Sequence, residues 1–342
     1  LAGRQKAHPV RHYLDKCEAA WDGESRLSAW LVEYAGVEVA GLSPERQAYI
    51  AAVGELFLVA AVRRVRQPGC KFDTLLVLEG KQGAGKSSVC RTLVPDPDWF
   101  SDCLPLGAEP KVVIEMTTGR WLCEFAELTG ISRREVEEVK MFLSRQSDAA
   151  RAAYAREPSE RPRQFIAVGT TNDDKYLVDT TGNRRFLPVT VTGSIDLEGL
   201  RRDRDQLWGE ASRREKEFGA ALSLPEQLWA VAAAEQEERR VVGPIEEALT
   251  AALGGIADGR IAAADLRKIV SLREGQGEAR HSKQIAETMR RLGWTNGMDS
   301  KGTRFWRIGD AWRANPLGYD EISGRVRKVR SGGDSYPDFE GE

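Results

Sequence analysis

Zinc ligands are what this sequence has least of. Its five cysteines, Cys17, Cys70, Cys90, Cys103 and Cys123, form no CxxC pair, their number is odd, and only three histidines accompany them. Structural zinc sites draw four ligands from closely spaced Cys and His, so none is expected. Several of the cysteines fall in apolar runs, which reads as reduced, buried side chains and a cytoplasmic setting. No apolar run approaches the ~18 residues of a membrane span. The N-terminal stretch is polar and basic, unlike a signal peptide. The chain opens on Leu1 and not Met, as a piece of a longer protein would.

A dominant charge is missing too. Fifty Lys and Arg face 52 Asp and Glu, a formal net charge of −2, which excludes a uniformly basic nucleic-acid coat. Any contact with nucleic acid must come from local patches. What remains is the composition of a soluble globular chain, 41% hydrophobic and 30% charged, long enough for about two or three domains.

The most specific stretch is "LLVLEGKQGAGKSSVCRTLV", residues 75 to 94. An apolar, strand-like run enters a glycine-rich turn and leaves into a helix-like run. Gly80, Lys81, Gln82, Gly83, Ala84, Gly85, Lys86 and Ser87, with Ser88 beyond them, fit GxxxxGK[ST], the phosphate-binding loop. Glycines let successive backbone N–H groups turn inward around an anion. Lys86 adds a positive charge for the outer phosphates, Ser87 a hydroxyl for Mg²⁺, and the next helix points its positive end at the same place. The expected ligand is a nucleoside triphosphate, ATP, with Mg²⁺.

Around this loop the chain alternates helix and strand signals. Residues 8 to 70 read as helical, with Ser43 capping a helix whose first residue is Pro44. Arg63 and Arg64 on it read as solvated surface. After the loop, "RWLCEF" and "RQFIAVGTTN" read as buried strands, "SRREVEEVKMFLSR" as a helix opened by a Ser132–Glu135 capping box, and "RRFLPVTV" as a further strand or an edge strand, because Pro188 removes a donor. This alternation predicts an α/β fold with a parallel sheet. Helices fill about 196 to 238, and "EQEERRVVGP" reads as a charged linker. Beyond it, three short helices and the hairpin "TNGMDSKGTRFWRIG" outline a winged helix. The expected domains are an N-terminal helical region (1–72), the ATPase core (73–238), a winged-helix-like domain (239–312) and a flexible tail (313–342).

ATP hydrolysis needs Mg²⁺ near the phosphates, an oriented water and positive charge on the transition state. Glu124 and Glu127 follow the "RWLCEF" strand where an acidic pair would lie, Glu124 toward the metal and Glu127 toward the attacking water. Asn172, at the tip of the next strand, would fix that water. Arg184 and Arg185 follow a Gly-Asn turn and would reach phosphates of a neighbouring subunit. Residue types alone leave each of these open to a plainer reading as surface acid, turn former or surface cation.

At this point the chain resembles the virulence-associated protein E family of phages and pathogenicity islands, whose ATPase core is similar to superfamily 3 helicases. "HPVRHYLD", "QPGCKFDTLLVLEGKQGAGKSS", "RWLCEFAEL", "KMFLSRQSDAARAAYAREPSERPRQFIAVGTTN" and "TGNRRFLPV" match in order over about residues 8 to 191. One departure is Ala153, where the family commonly has proline. The resemblance implies an AAA+-like core, catalytic roles for Glu124, Glu127, Asn172 and Arg185, a hexameric ring with ATP between subunits, and single-stranded DNA in the pore. Pore hairpins of superfamily 3 lie between the acidic strand and the sensor strand. Here that interval holds Lys140, Arg145, Arg151, Tyr154, Arg156, Arg161 and Arg163, cations for a phosphate backbone with Tyr154 to stack on a base.

In the C-terminal module, residues 280 to 308 carry Arg280, Lys283, Arg290, Arg291, Lys301, Arg304 and Arg307 against only Glu287 and Asp299. This basic helix and hairpin suit duplex DNA, with protein contact as the alternative. Trp294, Trp306 and Trp312 read as packing. The first functional expectation is a phage-type replicative helicase. The second is an ATP-dependent initiator or loader that remodels DNA without processive unwinding. A small-molecule kinase would leave the sensor pattern and the C-terminal module unexplained.

Overall fold

The computed structural model describes residues 8–104, 109–126, 128, 133–150, 159–178, 182–271, 278–300 and 302–329. The chain forms two compact units, Leu1–Val241 and Val242–Glu342.

In the first unit, α1 (Pro9–Ala19) starts at a His8 cap, whose ring accepts from the Arg11 N–H at 3.2 Å. Within the stretch 8 to 70 expected to be helical, residues 26–36 form only the short α2 (Trp30–Glu33). Gly36 then turns the chain at φ +71°, so close to Gly193 that a Cβ would lie 2.8 Å from its carbonyl oxygen. α3 (Pro44–Arg66) opens as expected, with Ser43 Oγ accepting from the Arg46 N–H at 3.3 Å. Arg63 and Arg64 depart from expectation, since both are buried. Arg63 donates to Glu215 at 2.8 Å and to nearby carbonyls. Arg64 donates Nη2 to the Phe72 carbonyl at 2.9 Å, and burial lowers its pKa.

Then follow β1 (Leu75–Glu79), α4 (Lys86–Thr92), β2 (Phe100–Ser101), α5 (Pro110–Thr117), β3 (Leu122–Phe125), α6 (Arg133–Ser144), the pair β4 (Ser147–Ala150) and β5 (Ser159–Pro162), and β6 (Ile166–Thr171). β7 (Phe186–Thr190), α7 (Leu197–Glu217) and α8 (Trp229–Glu238) complete the unit. The main sheet is parallel in the order β2-β3-β6-β1-β7. Its two faces are both buried, as parallel sheets require. Leu76 and Leu78 join α3, α4 and α7 on one side, while Leu75 and Val77 join Val136 and Val139 of α6 on the other. Pro188 sits on the edge strand β7, opposite Val77, where a missing N–H costs no ladder bond. Ser132 of the expected capping box lies outside the described residues.

The stretch read as a linker is partly interior. Arg239, 8% exposed, reaches both carboxylate oxygens of buried Glu79 at 3.0 Å, donates to Thr190 Oγ1 at 3.0 Å and pairs with Glu235.

The second unit contains α9 (Pro244–Leu253), β8 (Gly259–Ala262), α10 (Ala263–Ile269), α11 (Glu278–Arg291), β9 (Thr295–Met298), β10 (Arg304–Ile308), β11 (Pro316–Asp320) and β12 (Arg325–Lys328). Three helices and a hairpin are present in the expected order, with β8 added after the first helix. The expected tail from residue 313 needs correction. β11 and β12 join a sheet ordered β12-β11-β8-β10-β9, and Leu317, Tyr319 and Val326 pack on the helical core. Charge and glycine content masked a two-residue alternation. Residues 330–342 lie outside the described residues.

Candidate functional site

Three adjacent strands of the parallel sheet, β3, β6 and β1, end at one edge, and the glycine loop follows β1. Gly80 has φ +148°, and a Cβ there would lie 2.5 Å from the Val191 carbonyl oxygen, so only glycine fits. Gly83 and Gly85 also have positive φ, +78° and +90°. Such left-handed turns aim consecutive amides into one concavity. α4 starts directly at Lys86, so its free N–H groups face the same space.

Lys86 is 6% exposed. Its Nζ donates to the carbonyls of Gly80 (2.6 Å) and Lys81 (2.9 Å) and to Asn172 Oδ1 (3.0 Å). Burial lowers its pKa, and the Glu124 carboxylate acts in the opposite direction. Ser87 Oγ donates to Glu124 Oε1 at 2.6 Å, and Thr170 Oγ1 donates to the same oxygen at 2.6 Å. Glu124 is fully buried, and its Oε2 has no hydrogen-bond partner. Gln82, Gly83, Lys86, Ser87, Thr170 and Asn172 line a cleft of about 380 Å³ to which Gly85, Ser88, Ala126 and Thr171 contribute. Ala84 closes the turn by donating its N–H to Lys81 O at 3.3 Å.

The structure thus gathers the loop, Glu124 and Asn172 in one place. Thr170 is an addition, and its signal was a hydroxyl at the end of a buried strand. Glu79 and Arg239 brace the loop from the Leu75–Val77 side of β1. Nothing local in the sequence pairs them, since 160 positions separate the two. Glu127 lies outside the described residues.

Arg184 and Arg185 are not gathered there. They form the tight turn Asn183–Arg185 at the amino end of β7, and Phe186 stands opposite Leu75. The glycine loop lies beyond the other end of β1. At about 3.3 Å per residue, the two ends are roughly 13 Å or more apart. Arg184 is exposed, and Arg185 Nε lies 3.7 Å from Asp73 Oδ2.

Of the candidate DNA contacts, Lys140 is interior and not surface: it is 4% exposed, beside Gly182, with Nζ 3.3 Å from Glu137. The amphipathic α6 turns this position toward the core. Arg163 is interior as well. Its guanidinium makes two 2.6 Å bonds to Asp148, a third to the Phe142 carbonyl, and covers the Phe142 ring at 4.0 Å. It clamps the base of the β4–β5 pair. Arg151, Tyr154 and Lys301 lie outside the described residues. In the second unit Lys283, Arg290 and Arg304 are exposed, and Arg291 pairs with Glu246. Arg267, Arg290 and Arg304 rim a groove of about 560 Å³ between α10, α11 and the hairpin. Trp294 and Trp306 are buried, whereas Trp312 is half-buried.

Among the described residues no helix is long and apolar enough to cross a membrane, and no group of three or more His, Cys, Asp or Glu could hold a metal.

No curated protein matches this chain. Among solved structures, an apo form of the NrS-1 C-terminal region is similar at 12% identity with a TM-score of 0.44, covering 76% of this chain and 72% of that one. A second apo structure of that region (residues 305–718) is similar at 13% identity and a TM-score of 0.41. The JCV helicase is similar at 12% identity with a TM-score of 0.30, covering 71% of this chain and 70% of its own. The virulence-associated protein E-like domain matches residues 14–241, from α1 through the last residue of the first unit. The match takes in more than half of the chain, and the protein belongs to the virulence-associated protein E-like family.

Proposed function

We propose that this protein is an ATP-hydrolysing DNA motor, a phage-type replicative helicase that works as a ring. The observation that carries the reading is the convergence of Lys86, Ser87, Glu124, Thr170 and Asn172 on one cleft at the carboxyl edge of the sheet. Lys86 exchanges two carbonyls of its own loop for the outer phosphates of ATP, which releases Asn172 to orient a water. Ser87 and Glu124 suit Mg²⁺, a hard cation that takes oxygen ligands and retains waters. The unpartnered, buried Oε2 of Glu124 is the atom such a hydrated ion would satisfy. When bound, Mg²⁺ neutralises charge on the phosphates. Glu127 polarises the attacking water, and Arg185 serves the cleft of the next subunit in the ring.

The β4–β5 pair lies between β3 and β6, the interval in which superfamily 3 rings carry their pore hairpin. Its base is fixed by Arg163 and Asp148, and its tip would track single-stranded DNA. The second unit acts as a winged helix. Lys283, Arg290 and Arg304 of α11 and the hairpin contact duplex phosphates, so binding weakens with salt.

Lys86→Ala tests the assignment. Phosphate release should cease, and nucleotide binding should weaken by roughly 1.5–3 kcal/mol through loss of a charge-assisted contact. Near-normal turnover would remove the cleft from the mechanism. A strand-displacement assay on forked DNA, with and without ATP, tests the motor. ATP-dependent DNA remodelling without displacement would replace the helicase with an initiator or loader.

A further inference from the structure

The sheet of the second unit has two faces with different contents. Strand alternation places Ile261, Trp306, Leu317, Tyr319 and Val326 in the cluster built with the three helices. The opposite face carries their alternating neighbours. There Arg260 stands directly across from Arg307, and Ala262 across from Phe305. Further along, Gly318 faces Arg327 and Asp320 faces Arg325. Four arginines share this face with one acidic strand residue, Asp320, which lies 3.4 Å from Arg327. Like charges directly across a ladder repel. The Arg260–Arg307 pair is therefore unfavourable for folding alone and favourable once an anion lies over it.

The same face carries an aromatic ledge. The Phe305 ring covers Gly297, where a Cβ would come within 2.7 Å of it. Phe305 also stacks on Trp312, with ring centroids 5.5 Å apart and planes at 28°. The guanidinium groups of Arg307 and Arg313 lie 5.0 and 4.5 Å from the Trp312 ring centre. Phe305, Trp312, Arg260 and Arg307 are all half-buried. Guanidinium groups beside stacked rings match a single strand, whose phosphates meet the cations and whose unpaired bases meet the π-faces. A duplex keeps its bases stacked inside and offers this face only phosphates.

We propose that this face binds single-stranded DNA, with the backbone along Arg260, Arg307 and Arg327 and a base on the Trp312–Phe305 ledge. It adjoins the groove rimmed by Arg290 and Arg304 at Phe305, which borders both, whereas Arg260, Arg307, Arg327 and Trp312 lie outside that groove. It does not depend on ATP hydrolysis, and an assay without nucleotide keeps its failure separate from failure of the cleft assignment.

The test is fluorescence anisotropy of a labelled oligothymidylate against the full chain. Trp312→Ala should weaken binding roughly tenfold or more, whereas Trp312→Phe, which keeps a ring, should retain most of it. Arg260→Ser with Arg307→Ser should flatten the slope of log affinity against log salt by about 1.4, the single-strand value for two phosphate contacts. A 5-iododeoxyuridine oligomer should photocrosslink to the segment bearing Phe305 and Trp312. Unchanged affinity in Trp312→Ala and in the double variant would overturn the proposal. So would equal loss for duplex DNA, Trp312→Phe as weak as Trp312→Ala, or crosslinks confined to residues 1–241.

Discussion

The two ends of the parallel sheet in the first unit are built differently. At the carboxyl end, side chains from three strands and the glycine loop satisfy one another: Ser87 and Thr170 share Glu124 Oε1, and Lys86 spans the loop and Asn172. At the amino end, Arg185 Nε lies 3.7 Å from Asp73 and makes no hydrogen bond among the described residues, and Arg184 is exposed. One end gathers its side chains from within the chain. The other holds two cations, one of them beside Asp73, and the proposed ring would set them against a neighbour's cleft.

The largest effect should come from breaking that asymmetry. Arg185→Ala is expected to lower ATP turnover by roughly 10³–10⁵-fold with a smaller effect on nucleotide affinity, as loss of an arginine finger does. Mixing this variant with Lys86→Ala should restore part of the activity, because some interfaces then combine an intact cleft with an intact arginine. No recovery, with subunit exchange confirmed independently, would confine Arg185 to its own subunit or to a structural role.

Next comes the division of labour at the carboxyl end. Glu127→Gln should bind ATP yet hydrolyse it some 10²–10⁴-fold more slowly, a typical loss for a positioned base. Single-turnover phosphate release would measure it. If Glu124→Gln alone behaves in this way, the two roles are reversed.

At the base of the β4–β5 pair the expected loss is of stability. Arg163→Ala strands the buried Asp148 carboxylate and should cost about 3–5 kcal/mol, read from denaturant unfolding. Replacing Arg163 and Asp148 together by apolar residues of similar volume should cost far less. Equal costs would mean that the pair acts through packing alone. The smallest effect belongs to Pro188. Pro188 is buried, and the outer side of β7 is covered: Tyr49 donates its hydroxyl to the Pro188 carbonyl at 3.1 Å, and Gln236 donates to the Phe186 carbonyl at 2.9 Å. Pro188→Val adds an N–H on that covered side and should cost about 1–3 kcal/mol, read from denaturant unfolding. No loss would mean that the new N–H finds a partner there.

Much of this was legible in the residues. The glycine loop, the Ser43 cap, the edge position of Pro188 and the strands ending in Glu124 and Asn172 all rest on interactions within a few positions. The errors share one cause. Arg63 and Arg64 were read as solvated surface, Arg239 as linker, and Lys140 and Arg163 as cations for a phosphate backbone, because charged side chains usually stand at the surface, yet each is interior. β11 and β12 were missed for the converse reason, since a charged, glycine-containing alternation becomes a sheet only against a ready-made apolar face.

By itself, the sequence determined which side chains and turns the chain carries: a glycine-rich turn that fits the phosphate-binding pattern, a lysine and a serine inside it, and carboxylate and amide side chains at strand ends. Such motifs are short because neighbouring φ/ψ angles and side chains suffice to build them. Only the tertiary structure decided the grouping of that chemistry. Thr170 meets Glu124 across 46 positions, and Arg239 meets Glu79 across 160. Arg185 stands at the far end of the strand that carries the loop, and four arginines share one face of the second sheet. Strand order and register set those distances, and they follow from the burial of two apolar faces at once, which no local segment encodes.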